Sequence, residues 1–172
     1  MKFCKPFTRV TMVTFATVAG ALLAACGGGG GDEAVAAPAS SVIDKYVGVW
    51  VYTCELESAV PGGERSNRGT ITATKVSSNS MDLAPVEQVF QSVDCSGAFT
   101  TTVYTTVRLT DTGIRQVAGE AVDSFLATGV GGSGRTISLI KDGKLYGDDE
   151  ASPQDADGYH TAIDFTSWAV KQ

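Results

Sequence analysis

Thr136-Ile137-Ser138-Leu139-Ile140-Lys141-Asp142-Gly143-Lys144-Leu145-Tyr146 decides the fold. Apolar residues alternate on both sides of Asp142-Gly143, a pair that tolerates the type I′ turn of a two-residue hairpin. The same period of two, rich in Thr, Val, Tyr and Phe, spreads outward from this hairpin across the sequence from Val42 onward. Upstream it predicts a strand over Tyr46–Glu55, with Val47, Val49 and Val51 on one side and Tyr46, Trp50, Tyr52 and Cys54 on the other. Further strands are expected over Arg68–Val76, Met81–Leu83, Val86–Val93 (the last two separated by Pro85) and Phe99–Leu109. Arg115–Ala118 and Ala121–Thr128 follow, the second readable as a strand or a short helix. Downstream, Thr161–Val170 is expected to form the last strand, after an acidic loop over Asp148–Gly158. Pro61-Gly62-Gly63, Ser96-Gly97 and Asp111-Thr112-Gly113 read as turns, and Gly129–Gly134 as a loop. About eight short strands without a long amphipathic helix mean an all-β domain. A small antiparallel barrel is favoured because closure removes exposed edges; a β-sandwich is the alternative.

The first residues belong to a different regime. Lys2, Lys5 and Arg9 precede an uncharged, mostly apolar stretch from Thr11 to Leu23, too short to span a bilayer comfortably. Leu23-Ala24-Ala25-Cys26 resembles the bacterial lipobox at every position. The resemblance implies cleavage before Cys26, a diacylglyceryl thioether on its sulfur, and placement in the outer membrane if the cell is Gram-negative. An ordinary signal cut after Ala25 is the competing reading. Gly27–Gly31 and the Ala, Pro, Ser and acidic residues that follow cannot build a core and read as a flexible tether. No Gly-Lys-Ser/Thr follows the glycines, so they do not read as a phosphate loop. The expected organisation is a signal over 1–25, a lipidated cysteine and tether over 26–41, and one β domain over 42–172.

The chain has 172 residues and a formal charge of −6; without Lys2, Lys5 and Arg9, ten basic residues face 19 acidic ones, a net −9. Such a surface repels phosphate backbones, so nucleic acid is excluded as an expected partner, and membrane contact should come from the lipid. Of four cysteines, Cys4 leaves with the signal and Cys26 is the lipidation site. Cys54 and Cys95 remain as an even pair in an exported domain, which suggests a disulfide rather than two buried thiols.

Gly48-Val49-Trp50 resembles the Gly-x-Trp that opens lipocalins, where the glycine allows a tight entry and the tryptophan closes the barrel floor. Thr110-Asp111-Thr112 is a partial echo of the lipocalin Thr-Asp-Tyr segment. The lipocalin arginine that packs on the tryptophan has no counterpart in the final strand, which offers Lys171. The resemblance implies a lipocalin-like barrel, with ligand binding as an expectation to be tested.

Chemistry-bearing groups are sparse. His160 is the only histidine, and no Gly-x-Ser-x-Gly elbow accompanies it; Gly132-Ser133-Gly134 reads as loop. A hydrolase using His160 is therefore the least favoured reading. With Gly158 as the turn glycine of a calcium loop, Asp155, Asp157 and Asp164 fall at the third, fifth and twelfth positions, but Pro153 occupies the first. A solvated acidic turn is preferred, and no metal or cofactor is expected. Trp50, Tyr52, Phe90, Phe99, Tyr104, Phe125, Tyr146, Phe165 and Trp168 are candidates for the barrel interior. Trp50, Tyr52, Tyr104 and Phe125 are the residues expected to line a small apolar ligand, if a cavity exists. The resulting expectation is a monomeric, non-enzymatic envelope lipoprotein, either binding such a ligand or serving as a surface module. A protein or glycan interaction module is the alternative.

Overall fold

The computed structural model describes residues 41–172; the expected signal over 1–25, Cys26 and residues 27–40 of the expected tether lie outside the described residues. A single 3-10 turn, Val42–Lys45, leads into ten strands: β1 Gly48–Tyr52, β2 Glu55–Ser58, β3 Arg65–Ser77, β4 Ser80–Phe90, β5 Phe99–Val103, β6 Val107–Val117, β7 Glu120–Gly129, β8 Gly132–Lys141, β9 Lys144–Gly147 and β10 Ala169–Lys171. Every pairing is antiparallel. Eight strands close a barrel in the ring order β1-β3-β4-β6-β7-β8-β9-β10, and β10 returns to β1 through Trp50↔Lys171 and Tyr52↔Ala169. Barrel, not sandwich, is the architecture.

The β3–β4 hairpin is longer than the barrel wall. Near its turn it pairs with β1 and β6; at its far end it pairs with β2 and β5, giving a four-stranded extension, β2-β3-β4-β5. Cys54, between β1 and β2, is bonded to Cys95, in the loop after β4, and ties the corner of this extension to the barrel.

Several local readings need correction. Pro85 does not split β4, which pairs continuously with β3, Ile71 opposite Pro85. The Pro85 carbonyl accepts from Tyr104 N–H at 3.1 Å, so its backbone faces away from β3. That side is where β4 changes partner from β6 to β5, and the missing N–H breaks no ladder bond. The expected strand Phe99–Leu109 is two strands, broken at residues 104–106. Asp111-Thr112-Gly113 is a bulge inside β6 instead of a turn: Asp111 Oδ1 accepts from Gly113 N–H at 2.9 Å, and the register shifts there. The chain reverses later, at Ala118-Gly119, where both φ values are positive (51° and 86°). The reversal falls in the gap between the expected strands Arg115–Ala118 and Ala121–Thr128, although Ala118 is a poor residue for that conformation. Residues 121–128 are strand within β7, with no helix, and Gly132–Gly134 lies in β8. The last strand shrinks to three residues, because residues 148–168 run as irregular chain over the barrel wall. Asp142-Gly143 has both φ values positive, 52° and 74°, as a type I′ turn requires.

Alternation along each strand sorts the core into two. Inside the barrel, Ile43, Tyr46, Trp50, Met81 and Phe125 are all at most 2% exposed and form one cluster with Tyr52, Ala73, Leu109, Leu145 and Ala169. The 3-10 turn plugs the floor: Ile43 is fully buried, and the Tyr46 ring meets Phe125 edge-on at 5.5 Å. Outside the wall, Val122, Ile137, Leu139 and Val117 carry a second cluster, roofed by Tyr159 and Ile163 from the acidic segment. Each fully buried large side chain stabilises by roughly 1.5–3 kcal/mol relative to exposure. Phe90, Phe99, Tyr104, Tyr146, Phe165 and Trp168 stay out of the interior. Phe90 meets Phe99 at a tilt in the extension, ring centres 5.2 Å apart, and Tyr146 meets Phe165 edge-on outside the wall at 5.1 Å.

Candidate functional site

Of the four residues expected to line a ligand, three share the packed core and the fourth lies outside it. Trp50, Tyr52 and Phe125 point inward from β1 and β7 and are 2%, 7% and 0% exposed, packed against one another's neighbours. Burial pushes the Tyr52 phenol above the ordinary tyrosine range. Tyr104 sits between β5 and β6, outside that cluster. Its hydroxyl donates to Glu87 Oε2 at 2.6 Å, and that bond first, then partial desolvation, pushes its pKa up to about 12. Of the depressions on the outer wall, one of about 410 Å³ is open and shallow, lined by Asp82, Thr106, Arg108, Thr110 and Thr128. Arg108 lies across it, forked onto Asp82 at 2.8 and 3.0 Å.

The barrel floor holds a polar cluster. Asp123 points inward from β7, 5% exposed, and accepts a short hydrogen bond from the Tyr46 hydroxyl. Lys45 Nζ lies 2.5 Å from the same carboxylate oxygen, with nearly half of its own side chain in water. Burial first, and then the bond to Asp123, raise the Tyr46 phenol far above the usual range, so it remains a donor. Trp50 Nε1 donates to the Tyr46 carbonyl at 2.6 Å, and the Lys171 ammonium sits 5.6 Å from the Trp50 ring centre. Lys171, from the last strand, thus packs over the Trp50 ring. Gly48 adopts φ +132°, and a Cβ there would stand 2.7 Å from Lys171 Cε, so the glycine of Gly-x-Trp makes room for the lysine.

The acidic segment is pinned to the wall by two arginines. Tyr159, 3% exposed, lies under the Arg115 guanidinium, whose carbon is 4.2 Å from the ring centre. Arg135 Nη1 donates to the Tyr159 hydroxyl at 3.1 Å. Arg115 also bridges Asp155 at 2.5 Å and Asp157 at 3.1 Å. Asp155 Oδ1 accepts from the backbone N–H of Asp157 and Tyr159, at 2.9 and 3.0 Å. Asp164 turns elsewhere, accepting from Thr166 N–H and Oγ1. The carboxylates of the calcium-loop reading therefore face an arginine and two separate turns. Among the described residues no three His, Cys, Asp or Glu side chains are grouped as a metal site.

His160 lies in the same segment. Its Nδ1 faces the Ser152 carbonyl at 2.9 Å; a carbonyl only accepts, so the proton sits on Nδ1. Nε2 faces the Gln154 amide at 3.3 Å and Asp148 Oδ2 at 3.9 Å. Gln154↔His160 is also a backbone bridge, so the ring staples a small hairpin within the segment.

Sequence reasoning did not find the Arg115–Tyr159–Arg135 stack or the Asp123 cluster. The stack joins residues 24 to 44 positions apart, with no local signature. For Asp123, a lone carboxylate inside the apolar run of β7 was the available signal.

The arginine clamp has a testable pH dependence. The Tyr159 N–H first, then the Asp157 N–H and Arg115, hold the Asp155 carboxyl below its ordinary 3.8. A depressed folded value means the contribution is complete above the unfolded pKa and is lost as pH falls below about 3.8 through the folded value. Hydrogen exchange at the Asp157 and Tyr159 amides should therefore accelerate, relative to intrinsic rates, as pH drops through that window. Asp155→Asn should show the accelerated rates already at neutral pH. Unchanged protection in the variant would show that Asp155 does not hold the segment.

Comparison with protein-family models, with curated proteins and with solved structures returned no match.

Proposed function

We propose that this chain is a lipid-anchored protein of the bacterial cell envelope, attached through Cys26 and most consistent with the outer membrane. Its β domain serves as a non-enzymatic interaction module rather than as a carrier of a small apolar ligand. The observation that carries the choice is the packed interior: Tyr46, Trp50, Met81 and Phe125 are all at most 2% exposed in one continuous cluster, plugged by the 3-10 turn. Eight-stranded barrels are narrow enough for side chains alone to fill them. The lipobox and the glycine-rich tether support the address, since two or more acyl chains suffice for stable anchoring.

Fractionation tests the anchor. Cys26→Ser should move the full chain from the membrane fraction to the soluble one, and membrane association that survives the change sinks that half of the reading. Native mass spectrometry of the detergent-extracted chain tests the other half. A bare mass is expected beyond the lipid; a reproducible additional mass lost on denaturation would restore the carrier reading.

A further inference from the structure

The four-stranded extension ends in two open edges, and they differ. On the β2 edge lie Glu55 and Glu57, and the register breaks between Leu56 and Ser58. Charge and irregularity are the usual guards against edge-to-edge pairing. On the other edge, β5 reads Phe99-Thr100-Thr101-Thr102-Val103, with no charge, no proline and no bulge. All five residues are exposed, Phe99 by 50% and Val103 by 74%. Among the described residues only β4 pairs with β5.

Backbone polarity fixes which groups are open. Tyr104 N–H donates to Pro85, opposite it, so by the antiparallel alternation Thr102 and Thr100 also turn their backbone groups toward β4. Phe99, Thr101 and Val103 turn theirs outward. A two-fold axis at Thr101 would place Thr101 opposite its own copy and Phe99 opposite Val103 of the other chain. In that single register every outward N–H and C=O meets a partner, six hydrogen bonds in all. Each exposed Phe99 also covers an exposed Val103.

We infer that β5 is a self-complementary edge that joins two copies of this chain into a continuous sheet, an isologous contact across a two-fold axis. Net charge opposes the approach of two copies, and of the two open edges it opposes it least at β5. Two mature chains near −9 repel each other, and the β2 edge would set glutamates against glutamates, whereas β5 sets uncharged residues against uncharged ones. Five residues a side bury less than the roughly 1,200–2,000 Å² of a stable interface, so the pair is weak in dilute solution. It forms where copies are concentrated, as chains tethered in one membrane are. The inference names the partner within the interaction-module reading and rests on it.

Thr101→Cys in the full chain, expressed with its own export segment, provides the test. Opposed residues of a hydrogen-bonded pair have Cα atoms about 5.5 Å apart, within disulfide and short bis-maleimide reach. A covalent dimer is expected in membranes above the wild-type background. Val130→Cys, on a hairpin tip 87% exposed, should give only that background. No dimer from a protease-resistant Thr101→Cys, or equal dimer from both variants, overturns the inference. So does an adduct whose mass is that of a different protein. Should Thr101→Cys not fold, formaldehyde cross-linking of the wild-type chain in intact membranes decides: a dimer that Thr101→Lys removes is expected, and no dimer, or the same dimer from both, refutes it. Neither outcome bears on the ligand mass, so the two readings fail separately.

Discussion

Phe125→Ala destabilises the β domain by about 3–5 kcal/mol, the range for deleting a buried phenylalanine that its surroundings cannot refill. Phe125 is fully buried on β7, and the Tyr46 ring stands edge-on to it at 86°. Both strands beside it are pinned over most of their length, β6 through nine residue pairs and β8 through seven, so the wall cannot collapse into the gap. Tyr46 would lose its aromatic partner while its hydroxyl stayed fixed to Asp123. Domains of this kind have only about 5–15 kcal/mol in total. Urea unfolding of wild type and variant measures the effect as a lower midpoint at unchanged slope. A loss below about 1 kcal/mol would mean that Phe125 borders open space, and the carrier reading would regain its ground.

Removing the bridge by Cys54→Ser together with Cys95→Ser costs about 4 kcal/mol in the chain-entropy description. The bond spans 41 residues and closes everything from the β1–β2 corner through the β3–β4 hairpin. Cys95 also holds a positive φ of 55°, and its N–H donates to the buried Ser66 hydroxyl at 2.9 Å. Freed of the bridge, the loop after β4 would relax that conformation and uncover Phe90, which is 4% exposed. Loss should therefore begin in the β2–β5 extension and spare the barrel wall. Peptide-resolved hydrogen exchange should show faster exchange over residues 55–68 and 86–103 than over β7 and β8. A uniform change across the domain would place the bridge in the barrel's own stability instead.

Much of the fold was legible because it is local. The hairpin over 136–146 needs only alternation and a turn pair, and the inward set of β1, with Trp50 and Tyr52, needs only alternation. The misreadings share a cause. Proline at 85, glycine at 113 and the glycines of 129–134 are breakers in isolation, but each sits where the barrel needs a partner change, a bulge or a tight hairpin. The break expected between Ala118 and Ala121 is where the chain does reverse, and the pairing of β6 with β7 holds Ala118 in a conformation it disfavours. Of the candidate site, the inward aromatics Trp50, Tyr52 and Phe125 were visible, whereas Asp123 and the Arg115–Tyr159–Arg135 stack were not, because their partners lie far apart along the chain.

The sequence by itself determined an all-β domain, the pairing of Cys54 with Cys95 as a candidate bridge, and the inward faces of β1 and of the last hairpin. Side-chain alternation and turn conformations are properties of neighbouring residues, so they are written along the chain. Closure was decided only in three dimensions, by a three-residue β10 that reaches β1 and by a β3–β4 hairpin long enough to outgrow the wall. The same holds for Trp50, Phe125 and Tyr104, three aromatics alike in sequence. Two fill the core and one binds Glu87 outside it, because burial depends on which strands meet across the ring, and that pairing is non-local.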